Sequence, residues 1–240
     1  MSTSAASAFA YVGDELALFS SATNWKAYVA ELVGPHLGAR VIEVGAGMGS
    51  STRALCRAGV QSWTCVEPDP HLADLITAKI VGGELPRCCD VHVGVLDDLP
   101  PTAPVDAILY LDVLEHIEAD RAELERAVNR LRSGGRIVVL SPAHQWLFTP
   151  FDAAIGHHRR YSKRDARRLT PDRATLEAVR YVDSVGMLAS LGNRMLLQSS
   201  SPTLAQVRFW DRLLVPVSKV IDPLLRHTVG KSIVMVWTKR

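Results

Sequence analysis

The stretch Arg40–Thr52, R-V-I-E-V-G-A-G-M-G-S-S-T, constrains this chain more than any other. Val41, Ile42 and Val44 form a short apolar, β-branched run, the pattern of a strand buried on both faces. Gly45, Gly47 and Gly49 follow at alternate positions. Ser50, Ser51 and Thr52 then offer caps for a helix whose apolar positions include Ala54, Leu55 and Ala58. Strand, glycine turn and helix start make a nucleotide-binding βα unit. The missing side chains let the backbone approach a ligand, and a helix start presents unpaired N–H groups.

A dinucleotide fingerprint would need glycine or alanine at position 50, where Ser50 stands. The pattern here is E-x-G-x-G-x-G, with Glu43 inside the strand, and it resembles motif I of the class I S-adenosylmethionine (SAM)-dependent methyltransferases. A second strand, Ser62 to Val66, ends at Glu67, 22 residues beyond Gly45. A carboxylate at that place can accept both ribose hydroxyls of an adenosine, and Pro68 fixes the chain just beyond it.

The 240 residues suit one domain with a decoration, and a hydrophobic content of 48% is ample for its core. A net charge of +2 gives no reason to expect nucleic acid. Cys56, Cys65, Cys88 and Cys89 have no C-x-x-C spacing, so no metal is expected, and the adjacent pair argues for a reducing cytoplasm over a disulfide framework. The N-terminus reads as no signal peptide, and no run of about 18 uncharged apolar residues exists to insert stably in a membrane.

Met1–Ala8 is small and polar and is expected to fray. From Phe9 to Leu37 apolar residues at helical spacing predict two short helices jointed at Ser20–Asn24, an N-terminal lid over 1–38. The core is then 39–240. Pro70–Ile80 reads as a helix, Val91–Val93 as a third strand and Val105–Leu111 as a fourth, ending in D-V-L-E-H-I from Asp112. Ala119–Arg132 is an amphipathic helix stopped by Ser133-Gly134-Gly135, and Arg136–Leu140 is strand five. Ser162–Leu169 starts another helix, Thr175–Val185 is strand six and Ser232–Thr238 is the last strand. Between those two strands, at about 186–230, Leu204–Leu225 keeps helical spacing with Pro216 and Pro223 as interruptions. That segment predicts a helical cap over the acceptor pocket, and it could instead make a dimer face or touch a membrane surface.

D-V-L-E-H resembles motif IV of the same methyltransferases, and L-R-S-G-G resembles their phrase before strand five, so the family's motifs stand in order from Val41 to Leu140. The resemblance implies a Rossmann-like α/β fold, a seven-stranded sheet whose last strand enters antiparallel. It implies SAM held by Glu43, Gly45, Ala46, Gly47, Gly49, Glu67, Pro68, Val95, Leu96, Asp112 and Val113. Many relatives carry an acid directly after Gly94; here Val95 stands there, with Asp97 and Asp98 later, so apolar packing of Val95 and Leu96 on the adenine is expected instead. Tyr11, Phe19, Asn24 and Trp25 fall where the fold lies over the methionine end of SAM, or the aromatics simply pack the helices on the sheet.

The loop after strand five, S-P-A-H-Q-W-L-F to G-H-H-R-R-Y-S, resembles bacterial methyltransferases of the type 11/12 kind. Trp146, Phe148, His157, His158, Arg159, Arg160 and Tyr161 are its candidate acceptor residues. Two guanidiniums and two imidazoles can clamp phosphate oxygens, or the arginines can pair with Asp152 or Asp165 and pin the loop. Glu115, His116 and His144 are candidate bases for an oxygen or nitrogen acceptor. A carbon acceptor would instead pass through a cation, which aromatic faces and a carboxylate would stabilise. The specific expectation is C-methylation of an isoprenoid diphosphate by a monomer or homodimer. O- or N-methylation of an uncharged acceptor, an NAD(P)-dependent oxidoreductase and a SAM-binding protein without catalysis stand as alternatives.

Overall fold

The computed structural model describes residues 15–101, 103–196 and 203–240, so Met1–Ala8 and Tyr11 lie outside the described residues. Seven strands form one sheet: β1 (Arg40–Val44), β2 (Ser62–Glu67), β3 (Cys89–Val93), β4 (Val105–Leu111), β5 (Leu131–Pro142), β6 (Ala174–Val182) and β7 (Ser232–Lys239), in the order β3-β2-β1-β4-β5-β7-β6. The first five are parallel, while β7 runs antiparallel to both β5 and β6. The expected Rossmann-like architecture, antiparallel strand included, is the observed one. The strand order reverses at β1 and β4, and in an open α/β sheet a ligand crevice opens beyond the carboxyl ends at such a point.

Alternation within the strands divides the core. Val41, Cys65, Leu109 and Val236 face one layer with Tyr28, Val29 and Val207, whereas Ile42, Ile108, Ile137 and Met235 face the other with Leu124, Val128 and Tyr161. The helices are α1 (Glu15–Ser20), α2 (Thr23–Val33), α3 (Ser50–Leu55), α4 (Pro70–Val81), α5 (Asp120–Arg130), α6 (Pro150–Ala154), α7 (Lys163–Arg168), α8 (Ser184–Leu196), α9 (Leu204–Phe209) and α10 (Val215–Leu224).

Three local expectations change. The hydroxyls of Ser50–Thr52 do not cap α3 but fall in its first turn: Gly49 is the N-cap in the left-handed region (φ 72°), and the Thr52 hydroxyl donates to Glu43 Oε2 at 2.6 Å. Gly134 and Gly135 do not separate α5 from a later strand but lie within β5. A Cβ on Gly135 would sit 3.1 Å from the Val105 and Asp106 carbonyls, so glycine lets β5 pass close to β4 there. Pro216 and Pro223 do not interrupt the helical segment. Pro216 occupies the first turn of α10, and a π-helical turn at Trp210–Leu214 absorbs its missing N–H donor.

The segment between β6 and β7 is fixed by buried carboxylates. Asp183 accepts from Trp210 Nε1 (2.7 Å), Ser218 Oγ (2.7 Å) and Gly186 N (3.1 Å). Asp222 accepts from Tyr28 Oη (2.8 Å) and from the amides of Asp183 (2.6 Å) and Ser184 (3.0 Å). Asp211 accepts from Trp25 N (2.9 Å) and from both nitrogens of Asn24. Each charge is therefore matched by donors, the condition for burying it.

Candidate functional site

A cavity of about 1600 Å³ opens over the carboxyl ends of β1, β2 and β4 and extends beneath the segment between β6 and β7. On one side Gly45, Ala46 and Gly47 form its floor, and Glu67, Pro68, Val95 and Leu96 its wall. Gly45 (φ 68°) and Gly47 (φ 56°) adopt left-handed backbone that favours glycine, and a Cβ on Gly45 would sit 2.5 Å from Val113 Cγ2. Glu67 is buried at the tip of β2, accepting Gly47 N at 2.7 Å on Oε2 and Asp69 N at 3.0 Å on Oε1. Burial raises its carboxyl above the ordinary value, and the two amides oppose that shift.

Glu43 stands apart from this surface. It is 1% exposed, does not border the cavity, and its Oε2 accepts Thr52 Oγ1 and, at 2.8 Å, Trp63 Nε1. It ties β1 to β2 and α3. Gly49 likewise lies off the cavity. Asp98 Oδ2 turns back to the Val95 amide at 2.9 Å, whereas Asp97 borders the cavity and pairs with Arg126 at 3.1 Å.

Beside the glycine turn, and also bordering the cavity, stand Asp112, Val113, Glu115 and His116, all from the turn after β4. Asp112 has φ 56° and donates its amide to Leu140 O at 2.8 Å, which turns the chain sharply. Glu115 is fully buried; Ser141 Oγ donates to its Oε2 at 2.9 Å, and Oε1 has no hydrogen-bond partner. Burial, reinforced by Asp112, pushes the Glu115 carboxyl well up. His157 reaches in from the next loop, its Nε2 3.9 Å from Glu115 Oε1 and its ring edge-on to His116 with centroids 4.5 Å apart. Burial and the neighbouring His157 bring His116 down to about 4, so its imidazole is neutral at pH 7.

The remaining loop residues are distributed differently from the sequence expectation. Arg160 borders the cavity, but it grips Asp152 with both prongs, Nε to Oδ1 at 2.9 Å and Nη2 to Oδ2 at 2.8 Å. Arg159 pairs with Asp120 at 2.7 Å, and the Tyr161 hydroxyl donates within reach of Leu114 O and Asp120. Asp152 also holds His157 Nδ1 at 3.0 Å. Both arginines thus have carboxylate partners, Asp152 being one of the two offered from sequence and Asp120 not among them. His158, Arg159 and Tyr161 do not border the cavity; nor does His144, whose ring lies against Tyr181 at 4.4 Å, nor Trp146, which is 54% exposed. Phe148 and Trp25 do border it. Asn24 does not, because its side chain bonds to Asp211.

Residues 42–139 match the model of a methyltransferase domain family. Over that span the chain carries a methyltransferase domain of the SAM-dependent kind. Ubiquinone biosynthesis O-methyltransferase of Xylella fastidiosa (strain 9a5c) is 33% identical over 114 residues, 47% of this chain and 45% of that protein. Demethylmenaquinone methyltransferase of Tropheryma whipplei (strain Twist) is 29% identical over 144 residues, 55% and 54% of the two chains. The chain thus spans about half the length of the curated relatives it matches. A geranyl diphosphate methyltransferase solved with SAM shares the fold at a TM-score of 0.66 and 15% identity, covering 95% of this chain and 91% of that one. The geranyl diphosphate C-methyltransferase of Streptomyces coelicolor A3(2) does so at 0.66 and 14%, covering 93% and 82%.

SAM is the cofactor of such a domain, and the residues present fit it. Gly45 and Gly47 put left-handed backbone on the cavity surface, and the buried Glu67 borders it beside them, its Oε2 held by the Gly47 amide. Sequence reasoning offered Asp152 only as one of two partners for the arginines and missed that it also holds His157. It also missed Lys231, which borders the cavity 4.0 Å above the Trp210 ring and 3.3 Å from Asp183. No motif marks Lys231; only the pairing of β7 brings it there. No helix among the described residues is long and apolar enough to cross a membrane.

Proposed function

We propose that this chain is an enzyme that transfers a methyl group from SAM to an oxygen of an apolar small-molecule acceptor. The observation that carries the reading is one cavity with two unlike sets of lining residues. Its glycine floor and Glu67 suit the cofactor, and the same cavity is lined by Glu115, His116 and His157 and by the aromatics Trp25, Phe148, Phe151 and Trp210. SAM supplies a methyl on a cationic sulfur, primed for in-line displacement. Gly45 and Gly47 place backbone against the methionine and sugar, Glu67 accepts the ribose hydroxyls, and Val95 and Leu96 cover the adenine. The residues of 15–38 and of α8–α10 act as lid and cap and exclude water from the reacting atoms. The Glu115–His116–His157 group receives the acceptor hydroxyl and its proton.

One curated relative is named a ubiquinone biosynthesis O-methyltransferase, which favours an oxygen acceptor, and both it and the demethylmenaquinone methyltransferase favour a quinone-type ring with a long apolar portion. The aromatic side chains of the lining suit such a portion, as they would an isoprenoid. A diphosphate is less well served, because Arg159 and Arg160 already hold Asp120 and Asp152. A cytoplasmic location accords with four free thiols, three of which (Cys56, Cys88, Cys89) converge within 4.8 Å. Release of S-adenosylhomocysteine from SAM is the test, with a catechol bearing an isoprenoid tail compared against geranyl diphosphate. The reading expects turnover with the catechol. Turnover with the diphosphate alone would overturn the acceptor class, and preferential binding of NAD over SAM would overturn the reading as a whole.

A further inference from the structure

We infer that Glu115, His116 and His157 form a binding site for one divalent first-row transition-metal ion on the acceptor side of the cavity. Their ligand atoms all lie within 4.8 Å of one another, and all three side chains border the cavity. Two imidazoles and one carboxylate are a donor set suited to zinc, cobalt, iron or nickel rather than to magnesium, which takes oxygen ligands.

The independent observation is Glu115 Oε1. It belongs to a carboxylate that is 0% exposed, it has no hydrogen-bond partner, and it faces His157 Nε2 at 3.9 Å. That distance is too long for a hydrogen bond and suits two ligands of one ion. A buried acceptor left without a donor is costly, and a cation between the two atoms would satisfy it.

Each ligand is also oriented from behind, as metal ligands are. Ser141 Oγ holds the other oxygen of Glu115. Asp152 holds Nδ1 of His157 at 3.0 Å, which directs Nε2 into the cluster, and Arg160 fixes Asp152 in turn. His116 is hydrogen-bonded to the backbone of Gly156, with Nδ1 on that side. The expectation of no metal rested on cysteine spacing. These ligands come from two loops, with His116 and His157 standing 41 residues apart, a spacing no short motif records.

The site does not depend on the methyl-transfer reading, and it would change one step of it: with these three side chains committed to the ion, an acceptor oxygen bound beside them would lose its proton more readily, and the proton would go to solvent instead of to this group. The test uses the full chain stripped of metal with a chelator and titrated with Co²⁺, followed by visible absorption and by calorimetry, while methyl transfer is read separately by S-adenosylhomocysteine release. One Co²⁺ per chain is expected, with the weak absorption bands of nitrogen and oxygen ligands. Glu115→Gln and His157→Gln should each lose at least about tenfold in affinity, and Asp152→Asn, acting through His157, about 10–100-fold. Should a variant fail to fold by circular dichroism, the wild-type spectrum decides, since an intense thiolate band would place the ion at Cys56, Cys88 and Cys89. That band, no binding by the wild type, or unchanged affinity in folded Glu115→Gln and His157→Gln overturns the proposal.

Discussion

The Tyr28 hydroxyl donates to Asp222 at 2.8 Å, joining α2 to α10 across 194 residues of chain. The same carboxylate receives two amides at the start of α8, so a single side chain fastens the N-terminal helices, the end of β6 and the segment that roofs the cavity. Asp222→Ala leaves these donors buried without an acceptor. It should lower stability by about 3 kcal/mol, and Tyr28→Phe by about 1–2 kcal/mol. Urea unfolding followed by circular dichroism measures both; equal, negligible shifts would show that the clamp carries no weight.

Glu43 gives stability a pH dependence of its own. Burial raises its carboxyl from the ordinary 4.5 to about 7, with the Thr52 and Trp63 hydrogen bonds opposing. Between those values the folded chain binds a proton that the unfolded chain has released. The group's contribution is therefore full below pH 4.5 and is lost as pH rises through 7. Glu43→Gln stays neutral and should be more stable than the wild type above pH 7, by on the order of 3 kcal/mol. Denaturation midpoints measured from pH 5 to 8 check the sign; a wild type that gains stability over that range relative to the variant would refute it.

Glu67→Ala should weaken SAM by about 1.5–3 kcal/mol, the scale of charge-assisted hydrogen bonds. Gly45→Ala should act on the same affinity by another route, since its Cβ would meet Val113 at 2.5 Å in backbone that disfavours a side chain. Isothermal titration with S-adenosylhomocysteine separates these effects from folding. Unchanged affinity in both variants would remove the glycine turn from the site.

Arg160 tests whether the second loop binds an anion or braces itself. Burial works to raise the Asp152 carboxyl, yet His157 and Arg160 together hold it well below the usual range. Arg160→Ala should therefore cost about 3 kcal/mol of stability and impair every acceptor alike, and Arg160→Lys should restore only part because a single prong replaces two. Melting temperatures together with KM for charged and uncharged acceptors decide; a selective loss on the phosphorylated acceptor would restore the phosphate clamp.

Local pattern carried much of this molecule. The β-branched run at Val41–Val44, the alternate glycines and Glu67 at the tip of β2 are short-range signals, and of them Val44, Gly45, Gly47 and Glu67 border the cavity. Glu115 and His116 were legible for the same reason, both lying in one turn. What escaped depends on partners distant in sequence. Nothing near Glu43 reveals that Trp63 and Thr52 engage its carboxylate, and nothing near Arg160 ranks Asp152 above a ligand phosphate. His144 and Trp146 sit in the expected loop, yet φ 65° at His144 sends that ring toward Tyr181 rather than into the cavity.

The insertion of β7 between β5 and β6 has a kinetic meaning. Among the described strands β6 pairs only with β7, so β6 cannot join the sheet before Ser232–Lys239 is available. Everything between β6 and β7, the roof of the cavity included, is a loop closed by that single pairing. Closing so long a loop is entropically slow and comes late. The binding chamber is then assembled by the same step that completes the fold, and a partly folded chain exposes its glycine turn without yet having anywhere to hold an acceptor.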